Sequence, residues 1–247
     1  RKVIQRIRGS WIMVNIVING RKRKAKEGQT ILEVAQEMKL GIPTLCHHKD
    51  LSPFGACRLC AVEVKTNGNW QMVTSCNTPV ENGMEIVTDS EKVRENRKTV
   101  AEMLYYRYPE TEAVRELAAK LGVEVFSEKG EEHDCILCGL CVRTCAEIVG
   151  VTALYFEDRG PDRDLEEPRI GFNPNACIGC GSCAFVCPTG FVTMEAVDDK
   201  RIIWNKVFQM VECAVCGKYF APEDQLKYIS KTTGVPYSKL TTCSNCR

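Results

Sequence analysis

Two stretches of the chain, CILCGLCVRTC at 135–145 and CIGCGSCAFVCP at 177–188, repeat one spacing, C-x2-C-x2-C-x3-C. The spacing puts three thiols in a tight loop and a fourth a helical turn further on, the pattern of a chain wrapped around an inorganic cluster. The sixteen cysteines of the 247 residues fall into four groups of four: 46/57/60/76, 135/138/141/145, 177/180/183/187 and 213/216/243/246. An even count also fits a disulfide framework. Most of these cysteines, however, stand in C-x2-C spacings or extensions of them, so thiolates held by metal in a reducing, cytoplasmic compartment are the stronger reading.

The totals exclude little else. The formal net charge of +1 gives no reason to expect nucleic acid, and the local run GRKRKAK at 20–26 reads as a solvated turn. No apolar run approaches a membrane span. The opening RKVIQRIRGSWIMVNIVING is basic and then apolar, but Asn15 and Asn19 interrupt it and no small-residue cleavage site follows, so a β-strand is expected there rather than a signal peptide. Residues 12–18 alternate as a strand and NGR supplies a hairpin turn. QTILEVAQEMKLG reads as a short helix ended by Gly41, CAVEVKTNGNWQMVTSC as a hairpin about Asn67 and Gly68, and MEIVT at 84–88 as a further strand. A longer helix follows, with Val93, Val100 and Leu104 on one face and Pro109 as its stop, and then a second amphipathic helix ended by Gly122.

The first quartet is spaced C-x10-C-x2-C-x15-C. One close pair and two distant partners suit a [2Fe–2S] centre, whereas structural zinc, the alternative, usually takes two close pairs. Gly55 and Ala56 allow the backbone to wrap closely before Cys57. His47 and His48 follow Cys46 directly, but Cys46, Cys57, Cys60 and Cys76 already saturate such a site, so one histidine is expected near the cluster and the other in solvent.

The paired runs are those of two-cluster bacterial ferredoxins, in which the fourth cysteine of each run serves the other cluster. The expected [4Fe–4S] ligand sets are therefore Cys135, Cys138, Cys141 and Cys187 for one cluster, and Cys177, Cys180, Cys183 and Cys145 for the other. Gly139, Gly179 and Gly181 are expected where a side chain would crowd the sulfurs. His133 and Asp134, just ahead of the first run, read as surface or hydrogen-bonding groups. The alternative is a set of structural zinc thiols.

The tail differs. CAVCGKYF and CSNCR form two C-x2-C knuckles, Cys213/Cys216 and Cys243/Cys246, separated by 26 residues. Facing knuckles give a tetrahedral S4 site of the kind zinc favours, and a fourth iron–sulfur cluster could use the same four atoms. The intervening module is too short to hold a core unaided, so a metal staple is expected.

LSPFGACRLCAVEV, SCNTPVENGMEIVT, SEKVRENRKTVAEML and the two paired runs resemble, in order, the N-terminal region of the large iron–sulfur subunit of NADH-linked complex I. They also resemble the matching parts of iron-only hydrogenases and the diaphorase-side small subunit of bidirectional nickel–iron hydrogenases. The resemblance implies an α+β chain: a β-grasp [2Fe–2S] ferredoxin domain (1–88), a helical connector (89–132), a two-[4Fe–4S] ferredoxin-like domain (133–210) and, beyond the resemblance, a small four-cysteine, zinc-ribbon-like metal module (211–247). Members of that family usually carry a further cluster loop, His-x3-Cys-x2-Cys-x5-Cys, after the long helix. This sequence lacks it and continues directly into PETEAVRELAAKLG.

There is no G-x-G-x-x-G nucleotide motif after a strand, and the acidic residues fall in solvated runs such as EEHD and DRGPDRDLEEP. The chain therefore reads as an electron-transfer subunit without a substrate site of its own. The resemblance implies a flavin- and NAD(P)-binding diaphorase-type partner on one side and a hydrogenase-type catalytic partner on the other, in a complex that could be electron-bifurcating. A formate dehydrogenase in place of the hydrogenase, or a free multi-cluster carrier, are the alternative readings.

Overall fold

The computed structural model describes residues 6–7, 10–66, 68–126, 134–157 and 170–247. Asn67, His133 and the acidic run at 158–168 lie outside the described residues. The chain divides into two compact units, Arg1–Cys138 and Gly139–Arg247. No described helix is long and apolar enough to cross a membrane.

The first unit opens with a short antiparallel pair, β1 (Arg6–Ile7) and β2 (Ser10–Trp11). β3 (Met13–Ile18) follows, buries Val14, Ile16 and Ile18 on one face, and turns at Asn19-Gly20 into β4 (Arg21–Lys26). The basic run is thus an edge strand, not a turn. Only Ala25 of β4 is buried, and the charged side chains stand in solvent, which protects a sheet edge from pairing. Helix α1 (Ile31–Glu37) starts with a capping box: Thr30 Oγ1 accepts from the Glu33 N–H, and the Glu33 carboxylate accepts from the Thr30 N–H at 2.6 Å. It ends before Gly41. Lys39 takes the left-handed turn at φ 58°, and Gly41 does not adopt positive φ.

β5 (Ala61–Thr66), β6 (Asn69–Thr74) and β7 (Glu85–Val87) complete a five-stranded sheet of order β4-β3-β7-β5-β6, with β3 and β7 parallel at its centre. α1 packs its Ile31, Val34 and Ala35 against the sheet residues Ile16, Ile18, Val62 and Ile86. Helix α2 (Glu91–Arg107) is capped by Ser90, whose Oγ accepts from the Val93 N–H. Its buried stripe is Val93, Arg97, Ala101 and Tyr105, not the Val93, Val100 and Leu104 face expected from the sequence. α3 (Glu112–Lys120) follows Pro109 and buries Val114 and Ala118 against Tyr105 and Tyr108.

The second unit begins with α4 (Leu140–Arg143), which continues into one π-helical turn, Thr144–Val149. β8 (Leu154–Phe156) pairs with β9 (Ile170–Phe172). After α5 (Ser182–Phe185) come β10 (Met194–Val197), β11 (Lys200–Ile203), β12 (Lys206–Glu212) and β13 (Tyr219–Pro222), an antiparallel meander. β12 runs unbroken across 210/211, the position at which the sequence reading divides the ferredoxin-like domain from the tail. α6 (Glu223–Thr233) and a 3-10 turn at Tyr237–Lys239 close the unit, with Ala221, Leu226 and Leu240 as a small core of their own.

Candidate metal and iron–sulfur sites

All sixteen cysteines are free thiols, which removes the disulfide framework as the organising device. Three settings for them can be compared within the two units.

In the first unit the N-terminus of α1 anchors the 75–78 segment. The Ile31 N–H donates to the Thr78 carbonyl and the Leu32 N–H to the Ser75 carbonyl. Leu32 packs directly on Cys60 and Cys76. The quartet resolves into two pairs. The Cys46 thiol donates to Cys57 Sγ across 3.4 Å, and the Cys57 N–H points back at Cys46 Sγ. Cys60 and Cys76 make the second pair. The hydrogen bond from Cys46 lowers Cys57 to about 6, and the one from Cys76 lowers Cys60 to about 6. The donors Cys46 and Cys76 are driven upward by those same hydrogen bonds, with burial adding to the rise. Two thiolate–thiol pairs in an apolar loop form a donor set that fits two cations held side by side, one per pair.

Arg97 is the residue that sequence reasoning missed here. It is 5% exposed, and its guanidinium donates to the Leu59 carbonyl at 3.2 Å and the Ala61 carbonyl at 2.9 Å, the two positions flanking Cys60. A charged residue in the middle of a helix's apolar stripe was its available signal. Gly55 sits at φ 71°, and a Cβ there would lie 2.7 Å from Asn77 Nδ2, so the close wrap expected before Cys57 is made against Asn77. His48 Nδ1 accepts from the Asp50 N–H at 3.3 Å.

In the second unit, Cys145 on the π-helical turn and Cys177, Cys180 and Cys183 line one cavity. The other lining groups are almost wholly apolar and include Leu154, Ile203 and Trp204. The Ala153 N–H donates to Cys145 Sγ at 3.2 Å. Burial pushes Cys183 up to about 11, with the Trp204 indole N–H acting the other way, and burial likewise raises Cys177. Four thiols around an apolar cavity fit an iron–sulfur guest by their chemistry, because the lining supplies sulfur donors and little else. Gly179 and Gly181 also meet a packing demand that the sequence does not suggest. A Cβ on Gly179 would lie 2.6 Å from the Phe208 ring, and one on Gly181 2.6 Å from Met194 Sδ. What needs the space is the packing of β10 and β12. Of the remaining cysteines, Cys135 and Cys138 close the first unit, whereas Cys141 and Cys187 belong to the apolar cluster of the second.

The tail thiols form the third setting. The sulfurs of Cys213, Cys216, Cys243 and Cys246 all lie within 4.8 Å of one another, and Cys216 Sγ is 3.9 Å from Cys243 Sγ. Each knuckle is a tight turn: the Gly217 N–H donates to the Cys213 carbonyl, and the Cys246 N–H to the Cys243 carbonyl. The Cys243 N–H donates to Cys213 Sγ at 3.3 Å and, with the Cys216 and Val215 N–H groups, lowers Cys213 to about 6. Hydrogen bonding to Cys216 and Cys243 pushes Cys246 up to about 12. Four sulfurs this close cannot all ionise unless a cation sits among them.

A family model described as a 2Fe-2S iron-sulfur cluster binding domain matches residues 12–91, and one described as a 4Fe-4S dicluster domain matches residues 134–191. The two matched segments are iron–sulfur cluster-binding domains. The first carries the quartet 46/57/60/76 on its mixed sheet, and the second carries both repeated runs. The NADPH-Fe(3+) oxidoreductase subunit alpha of Geobacter sulfurreducens is 32% identical over 230 residues, which cover 83% of this chain and 27% of that protein. The NADP-reducing hydrogenase subunit HndD of Solidesulfovibrio fructosivorans is 29% identical, covering 79% of this chain and 37% of its own length. The NADH-ubiquinone oxidoreductase 75 kDa subunit of Reclinomonas americana is 28% identical, covering 74% and 30%. The chain thus spans 27% to 37% of the length of these three relatives. The dicluster match ends at residue 191, so the tail quartet lies outside both family models.

Proposed function

We propose that this chain is an electron-transfer subunit whose iron–sulfur clusters connect a flavin- and NAD(P)-binding diaphorase-type subunit to a hydrogenase-type catalytic subunit. The observation that carries the reading is the cavity shared by Cys145, Cys177, Cys180 and Cys183. It joins the fourth cysteine of one run to the first three of the other, as the crossed ligation of a dicluster module requires. The clusters, when bound, supply one-electron chemistry. The protein's part is to hold their thiolates, exclude water and orient N–H donors toward sulfur.

In this reading Cys46 and Cys57 hold one iron of a [2Fe–2S] centre and Cys60 and Cys76 the other. Cys177, Cys180, Cys183 and Cys145 hold one [4Fe–4S] cluster. Cys135, Cys138, Cys141 and Cys187 hold a second, an assignment that rests on the repeat spacing alone. The tail thiols hold zinc. Four Zn–S bonds of about 2.3 Å in a tetrahedron separate the sulfurs by about 3.8 Å, which suits the compact tail set, whereas a cube gives each thiolate an iron of its own and spreads them further. Free thiols throughout favour a reducing, cytoplasmic compartment. The names of the Geobacter and Solidesulfovibrio relatives favour NADP-linked partners.

Elemental analysis and EPR of protein purified anaerobically with its native partners test the reading. About ten irons and about one zinc per chain are expected, two plus four plus four with one mononuclear site. One [2Fe–2S] signal and spin-coupled [4Fe–4S] signals should appear on reduction. Zinc without iron sinks the proposal, and a chain that elutes alone from native extract favours a free carrier instead.

A further inference from the structure

The hairpin between β11 and β12 turns on two residues, Trp204 at φ 52° and Asn205 at φ 58°. Two positive φ values make the type I′ geometry that suits a two-residue hairpin, though a tryptophan is an unusual residue to hold there. Its ring is fixed from two sides. Phe172 stacks on it with centroids 5.9 Å apart at 18°, and Phe191 meets it edge-on at 6.1 Å. The ring so held forms part of the wall of the cavity lined by Cys145, Cys177, Cys180 and Cys183.

Trp204 Nε1 is buried, no carbonyl or side-chain oxygen takes its N–H, and the group it acts on is the Cys183 thiol. An indole N–H can only donate, and a buried one normally finds an acceptor. Three residues earlier, Arg201 donates through Nη1 to the Gly179 carbonyl at 3.1 Å, while its Nε is also buried with no partner. One hairpin therefore brings two buried donors without an oxygen acceptor to the cysteine loop at 177–183, whose Gly179 and Cys177 carbonyls are already taken by Arg201 Nη1 and Lys206 and whose sulfurs remain to accept.

We infer that the Trp204 indole N–H donates a hydrogen bond to a sulfur of the cluster held by Cys145, Cys177, Cys180 and Cys183, and that it raises the reduction potential of that cluster. The inference rests on the ligand set proposed above. Reduction adds one negative charge to a buried, water-poor site, and burial alone disfavours it. An N–H aimed at sulfur stabilises the more negative state more than the less negative one, and so works against that cost. Arg201 adds a positive charge near Cys180 to the same effect.

The test uses the full chain. Trp204→Phe keeps an aromatic ring between Phe172 and Phe191 and removes the donor. Its iron content should be unchanged, and an EPR-monitored redox titration should show this cluster harder to reduce by about tenfold in the one-electron equilibrium constant, or about 59 mV. Trp204→His, which restores a ring N–H, should recover part of the shift. An unchanged potential at full iron content overturns the inference. Because substitution could disturb the hairpin, electron–nuclear double resonance on the unsubstituted chain with 15N-indole-labelled tryptophan gives an independent reading. A 15N coupling to the reduced cluster is expected, and its absence also overturns the inference. If Cys180→Ser removes no [4Fe–4S] signal from the parent chain, it is the ligand assignment that fails.

Discussion

The cavity set and the tail set each offer four thiols from the same unit, and the fold presents them differently. Cys145, Cys177, Cys180 and Cys183 line one apolar cavity. Cys213, Cys216, Cys243 and Cys246 crowd within 4.8 Å of one another. The contrast comes from the backbone. In the tail, two knuckle turns fold back on themselves and a cross-chain N–H from Cys243 draws the pairs together. In the cavity, three thiols come from one loop and the fourth from a π-helical turn, with Leu154, Ile203 and Trp204 completing the wall. The first quartet is a third arrangement, two close pairs. C-x2-C spacing therefore specifies a metal-binding loop, and the turns and packing around the loop set how its thiols are presented.

The hardest test of that contrast is Cys180→Ser. It should remove about four irons from the proposed total of about ten and one [4Fe–4S] EPR signal, with zinc unchanged. Loss of zinc instead would invert the assignment. Cys243→Ser should do the opposite, reducing zinc from about one per chain to none while iron stays constant, with faster amide exchange confined to the tail. An iron signal lost in that variant would place a cluster in the tail.

Gly179→Ala is a milder perturbation of the cavity side alone. The new methyl meets the buried Phe208 ring at φ 70°, so a cost of about 3 kcal/mol is expected from overpacking and left-handed backbone together. It should be read as a fall in thermal midpoint with the tail zinc retained. The smallest effect concerns the metal-free tail. Cys213 is lowered by N–H donors, so the stability contributed by its thiolate is complete above its ordinary pKa near 9 and is lost as the pH falls through about 6. Amide exchange in the metal-free tail should therefore quicken on acidification across that window, and a flat profile would contradict the donor arrangement.

The quartets and the first hairpin are written in local spacing, which is why they can be read from sequence. β3 alternates buried and exposed residues, and its turn is Asn19-Gly20. Features set by distant contacts were not legible. Arg97 interrupts an apolar stripe, but what it serves shows only once the fold brings it to the carbonyls of Leu59 and Ala61. Nothing near Trp204 in the sequence marks it, because Phe172, some thirty positions earlier, supplies the other half of its stack. Gly179 reads as room left for sulfur because Phe208, its actual neighbour, comes from a strand almost thirty residues further along the chain. The end of α1 at Glu37 falls short of Gly41 for a related reason: Lys39 turns the chain, and side-chain identity gives no warning of it.

One strand links the two sites compared above. At the start of β12, Lys206 Nζ donates to the carbonyls of Pro174 and Cys177. At its middle, Phe208 lies against Gly179, and its end leads directly into Cys213. From Phe208 to Cys213 is five residues, about 17 Å of extended chain. The tail is thus spliced into the iron-binding region rather than appended to it. A chain shortened at residue 210 would cut the splice through its middle and fray the strand that holds the cysteine loop, so it should lose iron that Cys243→Ser keeps.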